Sequence, residues 1–454
     1  MQKTLIHLLL GPLLFGLVYF LLTAHFSFEM CISAGVVVWM LTWWLTEVVP
    51  MAITALLPIL FFSSTQILNI EDCYKGYSDR FVFLFLGGFL LSLGFEKCGL
   101  HRVLADKILK KSGNSNRSVL LGFMVTTYII SMWISNTATA IMMMPLAAGV
   151  IHLFEKDHHF HKNLVLGIAY SASIGGMATL MGSPPNAAAA GILFNSFHIE
   201  ITFLTWLKWG LPFSFILLVI GYLILSRQMK ETSKPFEKIE HEIHVGHHPL
   251  TDRQWKTLFV FVGVCLSWIF QSFLASWLGV WCNDTAIALI FASLLFFPFG
   301  HQPLLKWEDT SALPWGILLM FGGGLTMANG LKEAGWMDWL GQAFTQWPHD
   351  QWSLVVLIIA VSIVLTALMS NLAMVAVFIP IVAQIASEIN YPILGLAIPV
   401  ALASSCDFMF PMSTPPNAIA YSSGHVTAGQ MFKIGFVFNS AAFIILLFWM
   451  FLMH

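Results

Sequence analysis

Runs of about 18 or more apolar residues recur along the whole chain, and no other feature narrows its fold as much. In lipid, a chain satisfies its backbone polar groups only as a helix or as a closed barrel. Barrel strands alternate apolar and polar residues, and these runs are continuous. The expected fold class is therefore an all-α integral membrane protein. Composition agrees: of 454 residues, 58% are hydrophobic and 10% charged, and mean hydropathy is +0.80. Formal net charge is -2, and no nucleic acid is expected as a partner; the lipid bilayer is. The six cysteines (31, 73, 98, 265, 282, 406) are scattered, so neither a disulfide framework nor a zinc site is expected. The stretch 4–23 lacks a clear small-x-small cleavage site and is long for a signal peptide, so it is read as the first spanning helix.

Single crossings are expected near 4–23, 29–47, 50–63, 80–97, 164–195, 205–226, 256–280, 285–299, 315–332, 393–424 and 431–453, about 11 transmembrane helices. Two more apolar segments, 118–150 and 352–386, are each too long for one span and too short for two. A cytoplasmic N-terminus places 17 of the 21 Lys and Arg inside, as the positive-inside rule requires. That orientation makes both ambiguous segments re-entrant hairpins and leaves the C-terminus outside. The expected location is the cell inner (plasma) membrane. The loop 227–256 is the only long polar stretch and divides the chain in two. Its "HEIHVGHH", and "HHFH" at 158–161, contain metal-ligand types, but solvated loops explain both better.

The two halves echo each other in order. "FLGGFLLSLGFEKCGL" (85–100) resembles "MFGGGLTMANGLKEAGW" (320–336), and "SNTATAIMMMP" (135–145) resembles "SNLAMVAVFIP" (370–380). "MGSPPNAAAAG" (181–191) resembles "MSTPPNAIAYSSG" (412–424). Asn136 and Asn371 are 235 apart, and Asn186 and Asn417 are 231 apart. The near-constant offset indicates duplication. In the expected topology the copies run in opposite directions across the membrane. Inverted repeats with broken helices mark secondary transporters, with the site near the midplane.

Four polar clusters carry the chemistry. Pro184 and Pro185, like Pro415 and Pro416, remove backbone donors and break a helix in mid-membrane. Such a break survives only inside protein or beside a wet cavity. The Ser-Asn clusters add hydroxyl and amide oxygens, the ligands that hard monovalent cations take. Ser131, Ser135, Asn136 and the Gly182 carbonyl form one candidate cation cage; Thr366, Ser370, Asn371 and the carbonyl near Ser413 form its mirror image. Interhelical hydrogen bonding by the same residues is the plainer alternative. The segments 118–151, 163–199 and 352–386 contain no Lys, Arg, Asp or Glu. An anion there must be held by amides, hydroxyls, helix N-termini and bound cations. A neutral solute needs none of this, so charge alone leaves the substrate class open.

"SMWISNTATA", "GGMATLMGSPPNAAAAG", "SNLAM" and "FPMSTPPNAIAYSSG" closely resemble the divalent anion/sodium symporter (DASS) family, from about residue 30 to the C-terminus. That resemblance implies an elevator mechanism in a homodimer, with C4-dicarboxylates such as succinate, malate and fumarate as substrate. Citrate or sulfate is the substrate of some members. It implies scaffold helices in 1–117 and 256–351, transport halves in 118–226 and 352–454, and a cytoplasmic linker at 227–255. It implies sodium ions as the coupling ions, with no organic cofactor. The sodium ligands are then Ser131, Ser135, Asn136 and Gly182, and Thr366, Ser370, Asn371 and Ser413. Substrate contacts fall to Asn136, Thr137, Asn371, Ser183, Thr414 and Pro415. Leu372 departs from the family's Thr and removes a hydroxyl from the substrate side. Asp407 departs from a small apolar residue, and an intramembrane carboxylate is by default a functional candidate, here a modulator of the second cation site.

Three other readings stand beside the symporter: a sodium-independent anion exchanger, a channel and a membrane-embedded enzyme. No H-E-x-x-H, G-x-S-x-G or P-loop is present, and buried carboxylates are scarce, so no enzyme is expected. Glu47 falls at a predicted cytoplasmic helix end, where a solvated terminus accounts for it.

Overall fold

The computed structural model describes residues 2–109, 113–154, 157–227, 229–230, 232, 250–279, 281–298, 302–339 and 351–453. Their regular structure is helical, without strands. The "HEIHVGHH" cluster lies outside the described residues. At "HHFH", the His161 ring bonds the Phe154 carbonyl at 2.9 Å, and no group of three metal-ligating side chains forms among the described residues.

Several helices start where the sequence supplies a cap. Asp79 accepts from Phe81 N–H at 2.8 Å and opens Arg80–Lys97; Thr251 and Gln254 close a capping box on Asp252–Ile269. The two ambiguous segments each divide in two at the Ser-Asn cluster. The first becomes Asn116–Ser131 and Asn136–Leu153, the second Gln351–Leu368 and Asn371–Glu388. Ser135 and Ser370 are the N-caps that restart the helix, accepting from Ala138 and Ala373 N–H, each at 3.3 Å. The long spans 164–195 and 393–424 break as the Pro-Pro pairs require. They give His158–Ala178 with Pro184–Phe197, and Ile393–Ala403 with Pro415–Ser422.

Three expected spans come out differently. The 256–280 span bends by 82° between Ile269 and Gln271. There Trp268 Nε1 donates to the Asp284 carbonyl at 3.0 Å and Gln271 Nε2 to that of Cys282 at 3.0 Å, holding the chain across the bend. The 50–63 span splits into Met51–Thr54 and Leu57–Ser64, with the Ala55 carbonyl taken by the Tyr77 hydroxyl. The 285–299 span is an 11-residue helix, Asp284–Leu294, shorter than the roughly 20 residues a crossing needs. Among the described residues, 6 helices are long and apolar enough to cross a membrane, or 7 if the bent pair counts as one span. Of the window Leu5–Leu22 only 6% is buried, so its apolar side chains face outward, as they do toward lipid.

Polar contacts sort into two sets, one at each end of the bundle. One end joins Arg80 to Glu200 (3.1 Å), Asn195 to Asp79 (2.9 Å) and the Phe203 N–H to Asp284 (2.6 Å). At the other end Lys97 pairs with Asp309, Asn116 bonds Asp157 (2.7 Å) and Gln254 reaches the Cys98 carbonyl (3.1 Å). Each contact joins residues that the expected topology puts on one side of the membrane.

Between these ends the halves interlock. Pro184–Phe197 packs on Asn371–Glu388 of the other half, and Pro415–Ser422 packs on both Asn136–Leu153 and His158–Ala178. The fully buried Tyr170 crosses from one half to the other, donating to the Phe408 carbonyl at 2.9 Å. The repeated glycines mark close approach. A Cβ on Gly88 would collide with Met181 of the first break, and one on Gly324 would lie 2.9 Å from Ala376 Cβ.

Candidate cation and substrate clusters

The first cluster is assembled from three segments. The Ser131 hydroxyl, at the end of its helix, lies 2.8 Å from Asn136 Oδ1 and 2.7 Å from the Ala172 carbonyl, both within donating range. His158–Ala178 stops at Thr179, whose backbone is extended. The Thr179 hydroxyl donates to the Met132 carbonyl at 2.6 Å, tying the break to the cluster's tip, and accepts from Gly182 N–H at 2.9 Å. Asn186 Nδ2 then bridges the Gly176 and Thr179 carbonyls, each at 2.8 Å.

The second cluster repeats this plan. The Thr366 hydroxyl donates to the Ser404 carbonyl and lies 3.2 Å from Asn371 Oδ1. Asn417 Nδ2 bonds the Asp407 carbonyl at 2.9 Å and that of Phe410 at 3.1 Å. Ser413 Oγ is spent within the loop, on the Asp407 and Phe410 carbonyls at 2.9 and 2.8 Å. Thr414 caps the half-helix by accepting from Asn417 N–H at 3.4 Å, whereas Ser183 makes no such bond.

These arrangements leave oxygens free. A helix would satisfy the Gly182 carbonyl from residue 185 or 186, but Pro185 has no N–H and Asn186 N–H goes to Ser183 at 3.1 Å. Ser413 meets the same fate through Pro416 and Asn417. No hydrogen bond of the described residues ends on either carbonyl. Asn186 Oδ1 and Asn417 Oδ1 are buried without a partner among the described residues, and so are both carboxylate oxygens of Asp407. Buried polar atoms are normally paired. Orphaned oxygens beside unwound carbonyls are what a hard monovalent cation takes as ligands, so the residues present fit the expected sodium ions.

The expected site residues therefore distribute as follows. Ser131, Asn136, Thr366 and Asn371 come together with their breaks. Ser135 and Ser370 spend their hydroxyls on caps, and Ser135 is exposed. Thr137 lies in the first turn after its tip and is half-buried, and Thr414 and Pro415 open the second half-helix. Leu372 is buried in an apolar cleft with Ala188, Ile192 and Phe321. Sequence reasoning passed over Thr179, Asn186 and Asn417 as site residues. The signal for the two asparagines was present, since each follows its Pro-Pro pair in both halves; Thr179 has no counterpart hydroxyl in the second half.

Two related halves, each bringing a helix-pair tip to a broken helix in a membrane-embedded bundle, define a secondary transporter. A family model described as a citrate transporter matches residues 41–396 and 349–454. A sodium-dependent dicarboxylate transporter of Staphylococcus saprophyticus is 33% identical over 97% of this chain and 90% of its own length. One of Staphylococcus aureus is 34% identical over 98% and 90%. Two solved structures share the fold. The Alcanivorax borkumensis YdaH transporter has a TM-score of 0.59 at 12% identity, covering 86% of this chain and 87% of that one. Neisseria gonorrhoeae MtrF has a TM-score of 0.57 at 14% identity, covering 86% and 83%. The chain belongs to the divalent anion/sodium symporter family, whose members are transporters and not enzymes.

Proposed function

We propose that the chain is a secondary active transporter of divalent organic anions, C4-dicarboxylates such as succinate, malate and fumarate, coupled to sodium by an elevator mechanism. The observation that carries this reading is the pair of equivalent clusters with orphaned oxygens and freed carbonyls. Sodium held by Ser131, Asn136 and the Gly182 carbonyl, and by Thr366, Asn371 and the Ser413 carbonyl, supplies positive charge beside segments that have none of their own. The N-terminus of Pro184–Phe197 adds its dipole. The anion then lies between the tips, touching Asn136, Thr137, Asn371, Ser183, Thr414 and Pro415. Without sodium it loses its counter-charge, and that dependence couples the two.

In this reading the helix pairs are re-entrant hairpins with about 11 spanning helices around them. Segments 118–226 and 352–454 move as one body, as their interlocked packing favours. Segments 1–117 and 256–351 stay as scaffold and hold a homodimer, with 227–255 as a cytoplasmic linker. The N-terminus is cytoplasmic and the C-terminus outside, in the inner (plasma) membrane.

The test is uptake of labelled succinate into proteoliposomes. An inward sodium gradient should drive accumulation, and uptake indifferent to sodium would overturn the coupling. Each net positive charge moved gains about 2.3 kcal/mol per 100 mV, so an electrogenic cycle should also respond to voltage. Counterflow driven by internal dicarboxylate without sodium would make the protein an exchanger instead.

A further inference from the structure

Asp407 stands in the second break, 1% exposed, with both carboxylate oxygens buried and unpartnered among the described residues. Its backbone is fixed: the carbonyl accepts from Asn417 Nδ2 and from Ser413 Oγ, both at 2.9 Å. Asn371 of the second tip is among the polar side chains facing the carboxylate. From Glu333 to Phe432 the chain contains no Lys or Arg that could neutralise it.

The first half shows what belongs at this position. Asn186 donates to the carbonyl ten residues before it, as Asn417 does, and that residue is Gly176. A Cβ built on Gly176 would run into the Asn136 carboxamide. The two positions are thus equivalent, and each aims its side-chain direction at the tip asparagine of its own cluster. In the first cluster glycine lets the Asn136 carboxamide fill that space; in the second the position carries a carboxylate. A buried carboxylate without a counter-charge costs several kcal/mol. A cation among Asp407, the Ser413 carbonyl and Asn417 Oδ1 removes that cost and satisfies the orphaned oxygens together.

We infer that Asp407 is a ligand of the second cation site, so that this site is negatively charged while the first is neutral. The inference rests on reading the clusters as sodium sites. It has a consequence for the cycle. The first cation needs the anion as much as the anion needs it. The second is held by the protein's own charge and binds without substrate.

Equilibrium binding of radioactive sodium to the purified full-length chain, in choline-balanced buffer without dicarboxylate, tests this. Wild type should bind sodium alone, and Asp407→Asn should weaken that binding at least tenfold. Asp407→Glu should keep more of it than Asp407→Asn. Equal affinities in wild type and Asp407→Asn, as a carboxylate kept neutral by a proton would give, overturn the inference and leave sodium coupling standing. If Asp407→Asn does not fold, wild type alone decides: sodium binding that appears only with succinate present overturns it. No sodium binding with or without succinate overturns both this inference and the sodium reading of the clusters.

Discussion

Asn417 reaches back ten residues to donate its side-chain amide to the backbone carbonyl of Asp407, at 2.9 Å. The bond closes the second break from inside, and the Phe410 carbonyl shares the same amide. Asn417→Ala removes one donor from each of these carbonyls, while Ser413 Oγ still reaches both. A hydrogen bond so lost costs about 0.5–1.5 kcal/mol. We expect a drop in melting temperature for Asn417→Ala, and a larger one for Asn186→Ala, whose Gly176 carbonyl has no hydroxyl in the place of Ser413 Oγ, in detergent-solubilised protein. An unchanged melting curve in both would mean that the asparagines do not hold the breaks.

Ser131 and Thr366 each orient a tip asparagine and touch the carbonyl of a broken helix. Ser131→Ala and Thr366→Val remove one such hydroxyl, worth about 1–3 kcal/mol in a buried site, or roughly 5- to 150-fold in an equilibrium constant. The sodium concentration for half-maximal uptake should rise by that order in both variants, with Thr366→Ser nearly normal. Sodium curves that superimpose on wild type would remove these residues from the cation sites.

Gly176→Ala should abolish sodium-driven uptake without unfolding the protein, since the added methyl group presses first on the Asn136 carboxamide. Uptake close to wild type would show that the Asn136 carboxamide is free to be elsewhere.

Leu372→Thr distinguishes two roles. In its apolar cleft with Ala188, Ile192 and Phe321, the new hydroxyl has no partner and should cost about 1–3 kcal/mol of stability. A changed preference among succinate, citrate and sulfate, with melting unchanged, would instead place residue 372 against the anion.

Relative movement is tested at a close approach of two helices that we assign to different bodies. Gly324→Cys combined with Ala376→Cys brings two thiols within disulfide range after a small adjustment. Oxidation should arrest uptake in the double variant, and reduction should restore it. Full uptake by the cross-linked protein would exclude sliding of Asn371–Glu388 along Trp315–Glu333.

What could be read from the sequence follows from how local each determinant is. Pro-Pro pairs and Ser caps act within a helical turn, so the breaks at 179–183 and 404–414 and the restarts at Asn136 and Asn371 were legible. The bend near Phe270 was not, because its ties run to Cys282 and Asp284, beyond the apolar run itself. The Thr179–Met132 bond was hidden for the same reason, with 47 residues between its partners. Asp407 was visible as a lone charge. Its equivalence to Gly176 follows from the same 231-residue offset as Asn186 and Asn417, but that each position faces the tip asparagine of its own cluster was hidden, since Asn136 and Asn371 lie 40 and 36 residues away.

The paired glycines at 88 and 324 have a mechanical consequence. A helix face studded with side chains has ridges, and a neighbour that fits them in one position must climb over them to reach the next. At Gly88 the end of the Met181 side chain fills the place a Cβ would take, and at Gly324 the Ala376 Cβ closes on bare backbone. If the transport halves slide past the scaffold as proposed, a larger residue at either place would act as a detent, favouring one stop and slowing departure from it. Side-chain size at those two points would then tune turnover rate and resting position separately from affinity for ion or anion.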